Sequence, residues 1–169
     1  MARGVTTPIQ VREARADEHD AVGRLTVAVY RAGGWGDDAY LPVLRDVAGR
    51  VAQATVLVAV RDDRLLGTVT VATRGGPYAE HAGAAEAVVR MLVVDPATRG
   101  QGVGELLVRE CLDRARAAGR TLVRLSTQPD MTAAHRLYER LGFVRAPEGD
   151  WRPAPDVQLL AYALRLEPA

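Results

Sequence analysis

The sequence predicts an α/β fold of the α+β kind, and three observations predict it. Strand and helix signals alternate along the whole chain of 169 residues. With 48% apolar content and no Ser/Gly-rich stretch to divide it, the chain supplies one substantial core, so residues 1–169 are expected to form one domain. One junction is complete in itself: the apolar run Val88 to Val94 meets the turn Asp95-Pro96, then the glycine-rich Arg99-Gly100-Gln101-Gly102-Val103-Gly104, then an amphipathic helix.

Taken in order, Ile9 to Ala14 reads as a first strand. Asp17 is positioned to cap a helix running to about Tyr30, and Asp37-Asp38 to open a second helix ending near Arg50. Thr55 to Val60 and Leu65 to Thr73 form a hairpin around the polar turn Arg61-Asp62-Asp63-Arg64. Val88 to Val94 is a buried strand, stopped at Asp95-Pro96 because proline has no N–H to donate. Val103, Leu106, Leu107 and Cys111 then recur at helical spacing. A strand Thr121 to Ser126 follows, then a helix in which Ala134, Leu137, Tyr138 and Leu141 fall at i, i+3, i+4 and i+7, with Gly142 as its C-terminal cap. A strand from Phe143 and a last strand, Val157 to Leu166, complete the chain.

Composition excludes several function classes. A formal charge of +1 makes no case for a strongly basic nucleic-acid binder. No apolar stretch approaches the roughly 20 residues that cross a bilayer, and no charged-then-apolar leader opens the chain, so a cytoplasmic protein is expected. The single cysteine, Cys111, sits on an apolar helical stripe and reads as an inert buried thiol. All 22 basic residues are arginine, so the chain offers no lysine side chain for self-acetylation. The histidines 19, 81 and 135 lack metal-ligand spacing, no metal is expected, and His135 reads as solvated.

The junction from Arg99 to Gly104 brings backbone N–H groups to a helix N-terminus, where no intrahelical carbonyl accepts them. Such an end attracts an anion, and glycines at 102 and 104 let a bulky diphosphate come close. The spacing lacks the Lys-Ser/Thr ending of a nucleotide-triphosphate loop and does not fit the three-glycine dinucleotide pattern.

It does resemble the arginine-x-x-glycine-x-glycine loop of the GNAT superfamily of N-acetyltransferases. A second segment, MTAAHRLYERLGFVR from Met131 to Arg145, is similar to that family's late helix and its Leu-Tyr-Glu-x-x-Gly-Phe signature. The resemblance spans the chain and is tight from Val88 to Arg145. It implies a central mixed, mostly antiparallel sheet of six to seven strands flanked by about four helices, and acetyl-CoA as cosubstrate. It also implies that Arg99, Gly100, Gln101, Gly102, Val103 and Gly104 hold the cofactor's pyrophosphate. The backbone of Leu92, Val93 and Val94 would lie along the pantetheine arm, with Leu92 and Val94 pairing to it. Tyr138 would protonate the departing thiolate.

Two positions depart from the family pattern. Met131 stands where many relatives carry an asparagine, and Val88 stands where one branch carries a glutamate base. Glu86, two residues earlier on the same strand face, is then the candidate base, with His81 as another. The expected reaction is direct transfer of acetyl to a small-molecule or peptide amine, with a catalytically silent CoA-binding or regulatory domain as the rival. No nucleic-acid or membrane partner is expected, and a homodimer stays open. The acceptor side is expected at two loops, Ala32 to Gly36 and Arg74 to Ala85, with Trp35 and Trp151 as candidate walls. Asp37, Asp38, Glu80 and Glu86 are candidate attractors of a cationic amine.

Overall fold

Eight strands form one sheet in the computed structural model, which describes residues 6–168. They are β1 (Gln10–Glu13), β2 (Thr55–Arg61), β3 (Arg64–Ala72), β4 (Glu86–Val94), β5 (Leu122–Thr127), β6 (Val144–Arg145), β7 (Trp151–Ala154) and β8 (Val157–Arg165). The order is β1-β2-β3-β4-β5-β8-β6, with β7 also pairing β8. Every pairing is antiparallel except β4 with β5. A parallel pair needs a crossover, and the helix α4 (Val103–Ala117) supplies it. The remaining helices are α1 (His19–Gly33), α2 (Leu41–Arg45), α3 (Val47–Gln53) and α5 (Thr132–Arg140).

The α/β class and mostly antiparallel sheet are as expected, but eight strands and five helices among the described residues replace six to seven and about four. The added strand, β7, is short and pairs with β8 at the far side of the sheet. β7 forms despite Pro153, because its outer edge is unpaired and an edge strand tolerates a residue without an N–H. The added helix arises where one was expected from Asp37 to Arg50. Asp46 leaves helical geometry and its carboxylate accepts the Gly49 N–H at 3.0 Å, so α2 ends and α3 is capped at the same residue. Asp37 caps only the turn before α2, through the Tyr40 N–H at 2.8 Å.

The start of α1 is held differently from expectation. Asp17 makes no capping bond; a single 3-10 turn, Ala16–Glu18, precedes the helix. The Glu18 carboxylate accepts the Arg15 N–H at 2.8 Å and both Arg12 Nη groups at 2.9 and 2.6 Å. The hydrogen-bonded Arg12 guanidinium pulls the Glu18 carboxyl down to about 2.

Strand alternation divides the core between two faces. Leu57, Ala59, Val69, Val71, Ala87, Val89, Val123 and Leu125 pack with α4 and with Tyr138 and Phe143 on the first face. Val56, Val58 and Val60 face the other way, against Val22 of α1 and Val47 of α3. On that second face, α1 to α3 cover the β1–β4 half of the sheet. No helix among the described residues is long and apolar enough to cross a membrane.

Gly67 sets how closely α4 lies on β3. A Cβ there would stand 2.9 Å from the Val93 carbonyl oxygen and 2.9 Å from Val103 Cγ1. We expect Gly67→Ala to cost about 1–3 kcal/mol, as overpacked core substitutions do, seen as a lower midpoint of urea unfolding at unchanged slope.

Candidate active site

The site begins with an irregularity in β4. Val88, Val89 and Arg90 pair with Ala72, Val71 and Thr70, whereas Val93 and Val94 pair with Thr68 and Gly67, so Met91 and Leu92 together oppose Val69 alone. This is a β-bulge, and Met91 carries the strain of it at φ +55°. The bulge reverses the strand's facing. Ala87 and Val89 point to the first face before it, and Leu92 and Val94 pack there after it, while Met91 turns to Leu41 and Leu44 of α2.

The bulge coincides with a parting of strands. β5 pairs with β4 only from Glu86 to Val89, against Leu122 to Leu125, and then Ser126 and Thr127 pair with β8 alone. From Arg90 to Val94, β4 therefore has a strand partner on its β3 side only. Leu92, Val93 and Val94 line this opening, as three of the expected cofactor positions.

The glycine-rich loop stands at the end of the same strand. Its approach is pinned: the Asp95 carboxylate accepts from the Ala97 N–H at 3.0 Å and from Arg64 at 3.2 Å, and the Asp95 N–H donates to the Leu66 carbonyl at 2.8 Å. Gly100 and Gly102 both adopt φ +80°, in the left-handed region where a side chain is strained. The N–H groups from Gly100 to Glu105 find no protein acceptor among the described residues, and they stand at the positive end of a 15-residue helix. Gln101 accepts a hydrogen bond from Arg61 Nη1 at 2.9 Å, and Arg99 is exposed. Val103 anchors the loop through its buried side chain. Gly104 serves a packing purpose, since a Cβ there would lie 3.1 Å from Leu137 Cδ2 and hold α5 away from α4.

Tyr138 is placed by the end of its own helix. The Gly142 N–H donates to the Glu139 carbonyl at 3.0 Å and the Phe143 N–H to the Tyr138 carbonyl at 3.0 Å, with Gly142 at φ +95°. That is a Schellman closure, whose accompanying apolar contact is Phe143 on Tyr138, ring centres 5.8 Å apart. The Tyr138 ring is buried, with Tyr162 also at 6.2 Å, and its hydroxyl makes no hydrogen bond to any described residue. Burial, and then the nearby Cys111, push the phenol well above the ordinary tyrosine range. Burial likewise raises the Cys111 thiol, consistent with an inert core residue. His135 is half-buried rather than solvated, because one turn before Tyr138 it faces inward: Nε2 meets the Gln128 carbonyl at 3.0 Å and the ring lies 5.6 Å from Tyr162. Met131 accepts a contact from Thr127 Oγ1 at 3.4 Å.

Glu86 lies at the far end of β4 from the loop, four residues before the opening. Its carboxylate is engaged by Arg124 Nε at 2.9 Å and the Gly83 N–H at 3.0 Å. Val88, on the same face, opens into a cavity of about 270 Å³ on the second sheet face, lined also by His81, Ser126, Glu148 and Trp151. The His81 and Trp151 rings meet at 4.8 Å.

Trp35 does not stack in that cavity. Its ring lies over Gly33, where a Cβ would overlap it, and its Nε1 donates to the Asp130 carboxylate at 3.1 Å. The loop after α1 is thereby tied to the loop after β5. Asp130 was not legible as a partner, since Pro129-Asp130 reads only as a turn. Arg50 was also missed. Buried on α3, it donates Nη1 to the carbonyls of Val43 and Leu44 at 3.1 and 3.0 Å and so satisfies the end of α2. Among the described residues, no group of His, Cys, Asp and Glu is placed to hold a metal ion.

Comparison with known proteins finds matches over most of the chain. Residues 17–143 match the model of the acetyltransferase (GNAT) family. The chain is 33% identical over 144 residues to a mycothiol acetyltransferase of Nocardia farcinica, an alignment covering 82% of this chain and 41% of that protein. It is 44% identical over 70 residues to a mycothiol acetyltransferase of Gordonia bronchialis, covering 37% of this chain and 23% of that one. The chain spans less than half the length of these relatives. Among solved structures, a GCN5-related N-acetyltransferase from Kribbella flavida aligns with a TM-score of 0.70 at 28% identity, over 94% of this chain and 98% of that one. A putative acetyltransferase from Salmonella typhimurium, solved with its cofactor acetyl-CoA, aligns at 0.67 and 21%, over 94% of each chain.

Proposed function

The chain belongs to the acetyltransferase (GNAT) family, whose members use acetyl-CoA, and from that premise we propose that it transfers acetyl directly from acetyl-CoA to a primary amine. The observation that carries this reading is the run of unpartnered N–H groups from Gly100 to Glu105, at the head of α4 and beside the gap in the sheet. An anionic diphosphate fits these donors, which otherwise stay unsatisfied when covered. The free flank of β4 fits an extended, amide-bearing arm that adds to the sheet as a strand would, through the backbone of Leu92 and Val94.

When bound, the cosubstrate supplies an acyl carbon activated as a thioester. The chain then has three tasks. The loop and β4 fix the position of the reacting centre, which accounts for much of catalysis through lost freedom already taken up in binding. Tyr138, its phenol held protonated by burial, donates a proton to sulfur as the carbon–sulfur bond breaks and the nitrogen–carbon bond forms. The amine's own proton leaves to water in the open cavity, because the Glu86 carboxylate is already held by Arg124 and Gly83.

Calorimetry with acetyl-CoA, together with a thiol-release assay over amino acids, polyamines, aminoglycosides and peptides, tests the reading. We expect saturable binding and release that depends on at least one amine. Binding without amine-dependent release across the panel leaves a silent CoA-binding domain and overturns the transferase; absence of binding overturns the site.

A further inference from the structure

We propose that the cavity over the β4–β5 seam receives the acceptor, and that this acceptor is a diamine: a primary amine whose far end carries a second positive charge. The proposal rests on the transferase reading above. The cavity touches Leu125 and Ser126, where β5 leaves β4, so a molecule seated in it has one end at the opening beside the reacting centre. It lies on the half of the second face that α1 to α3 leave bare, between the loop before β4 and the segment leading into β7.

Its size and lining select the ligand. A volume of about 270 Å³ equals roughly nine waters at about 30 Å³ each, enough for a short aliphatic chain. Val88 and Ala161 supply an apolar floor for methylene groups. The Trp151 indole, against which the His81 ring is tilted, is an aromatic wall of the kind that attracts a cation.

Charge decides the sign. Arg124 is neutralised by Glu86 at 2.9 Å, and Asp150 by Arg145 at 2.8 Å, so those four groups cancel. Glu148, with 71% of its side chain exposed, has only a 3.9 Å contact to Arg124, and Glu80 has no ion-pair partner among the described residues. Two carboxylates are left facing the cavity. They favour a cationic far end and repel the carboxylate of an amino acid.

Diaminopentane and aminopentane, which differ only in the second charge, are the probes, titrated by calorimetry into protein saturated with CoA. We expect diaminopentane to bind at least tenfold more tightly, and the exposed-site double variant Glu80→Gln/Glu148→Gln to bring the two within about twofold while acetyl-CoA affinity is unchanged. Trp151→Ala should weaken both amines. Equal affinities in the parent protein, or a preference that survives the double variant, overturns the proposal. If diaminopentane binds as expected but neither it nor any other amine drives thiol release, the cavity stands and the transferase reading fails; if it binds and only other amines are acetylated, the diamine is not the acceptor and this proposal fails. If other amines are acetylated and diaminopentane shows no preference, the transferase stands and this proposal fails.

Discussion

Replacing Tyr138 with phenylalanine is expected to lower kcat about 10²–10⁴-fold and to leave acetyl-CoA affinity nearly unchanged, the signature of a proton donated only in the transition state. The substitution is unusually clean here. The ring keeps its contacts with Phe143 and Tyr162, and the lost hydroxyl leaves no described partner unsatisfied, so stability should move little. The pH dependence has a defined sign. A donor works while protonated, and burial raises this phenol's titration, so the loss of kcat that it governs appears as pH rises above about 10, not near neutrality. A folded phenylalanine variant at full rate assigns Tyr138 to the core alone.

Gly102→Val is expected to weaken acetyl-CoA binding tenfold or more, about 1.4 kcal/mol per tenfold. No atom lies within 4 Å of a Cβ built at Gly102, so the protein has room for the side chain. Two costs remain. A β-branched residue at φ +80° is strained, which takes about 1–2 kcal/mol from stability. The new methyl groups also project into the space that a diphosphate needs in order to reach the N–H groups. Calorimetry on a variant shown to be folded separates the two, and unchanged affinity removes the loop from the binding site.

What was legible in the sequence was whatever local chemistry dictates. The hairpin around Arg61 to Arg64, the strand ending at Asp95-Pro96, the α4 stripe and the Gly142 cap all follow from spacing and turn residues, and the structure has them. The motifs at Arg99 to Gly104 and Leu137 to Phe143 were enough to indicate the family. Long-range pairings were not legible. Nothing local tells that Trp35 will find Asp130 across 95 residues, or that Glu86 will be occupied by Arg124. Asp46 illustrates a different limit: an apolar-periodic run from Leu41 to Val51 looks like one helix until an aspartate takes a backbone N–H for itself. The short β7 escaped notice because it owes its existence to β8, not to its own propensity.

The bulge at Met91 also governs which sequence changes this strand can accept. Because two residues of β4 oppose one of β3, the strand carries an odd step, and its inward positions have opposite parity on the two sides of it. Deleting any one residue from Arg90 to Leu92 restores even alternation. With Met91 removed, Ala87, Val89, Leu92 and Val94 would alternate on one face in unbroken register with β3, and what is lost is the bulge itself, with the Met91 contact to Leu41 and Leu44 at the point where β5 parts from β4. Substitution of one aliphatic residue for another here is a small perturbation; a change of length by one is a large one. Insertions and deletions should therefore be admitted freely in the exposed loop from Arg74 to Gly76 and excluded from the few residues that follow Val89, so that length, more than composition, is what this strand transmits through its lineage.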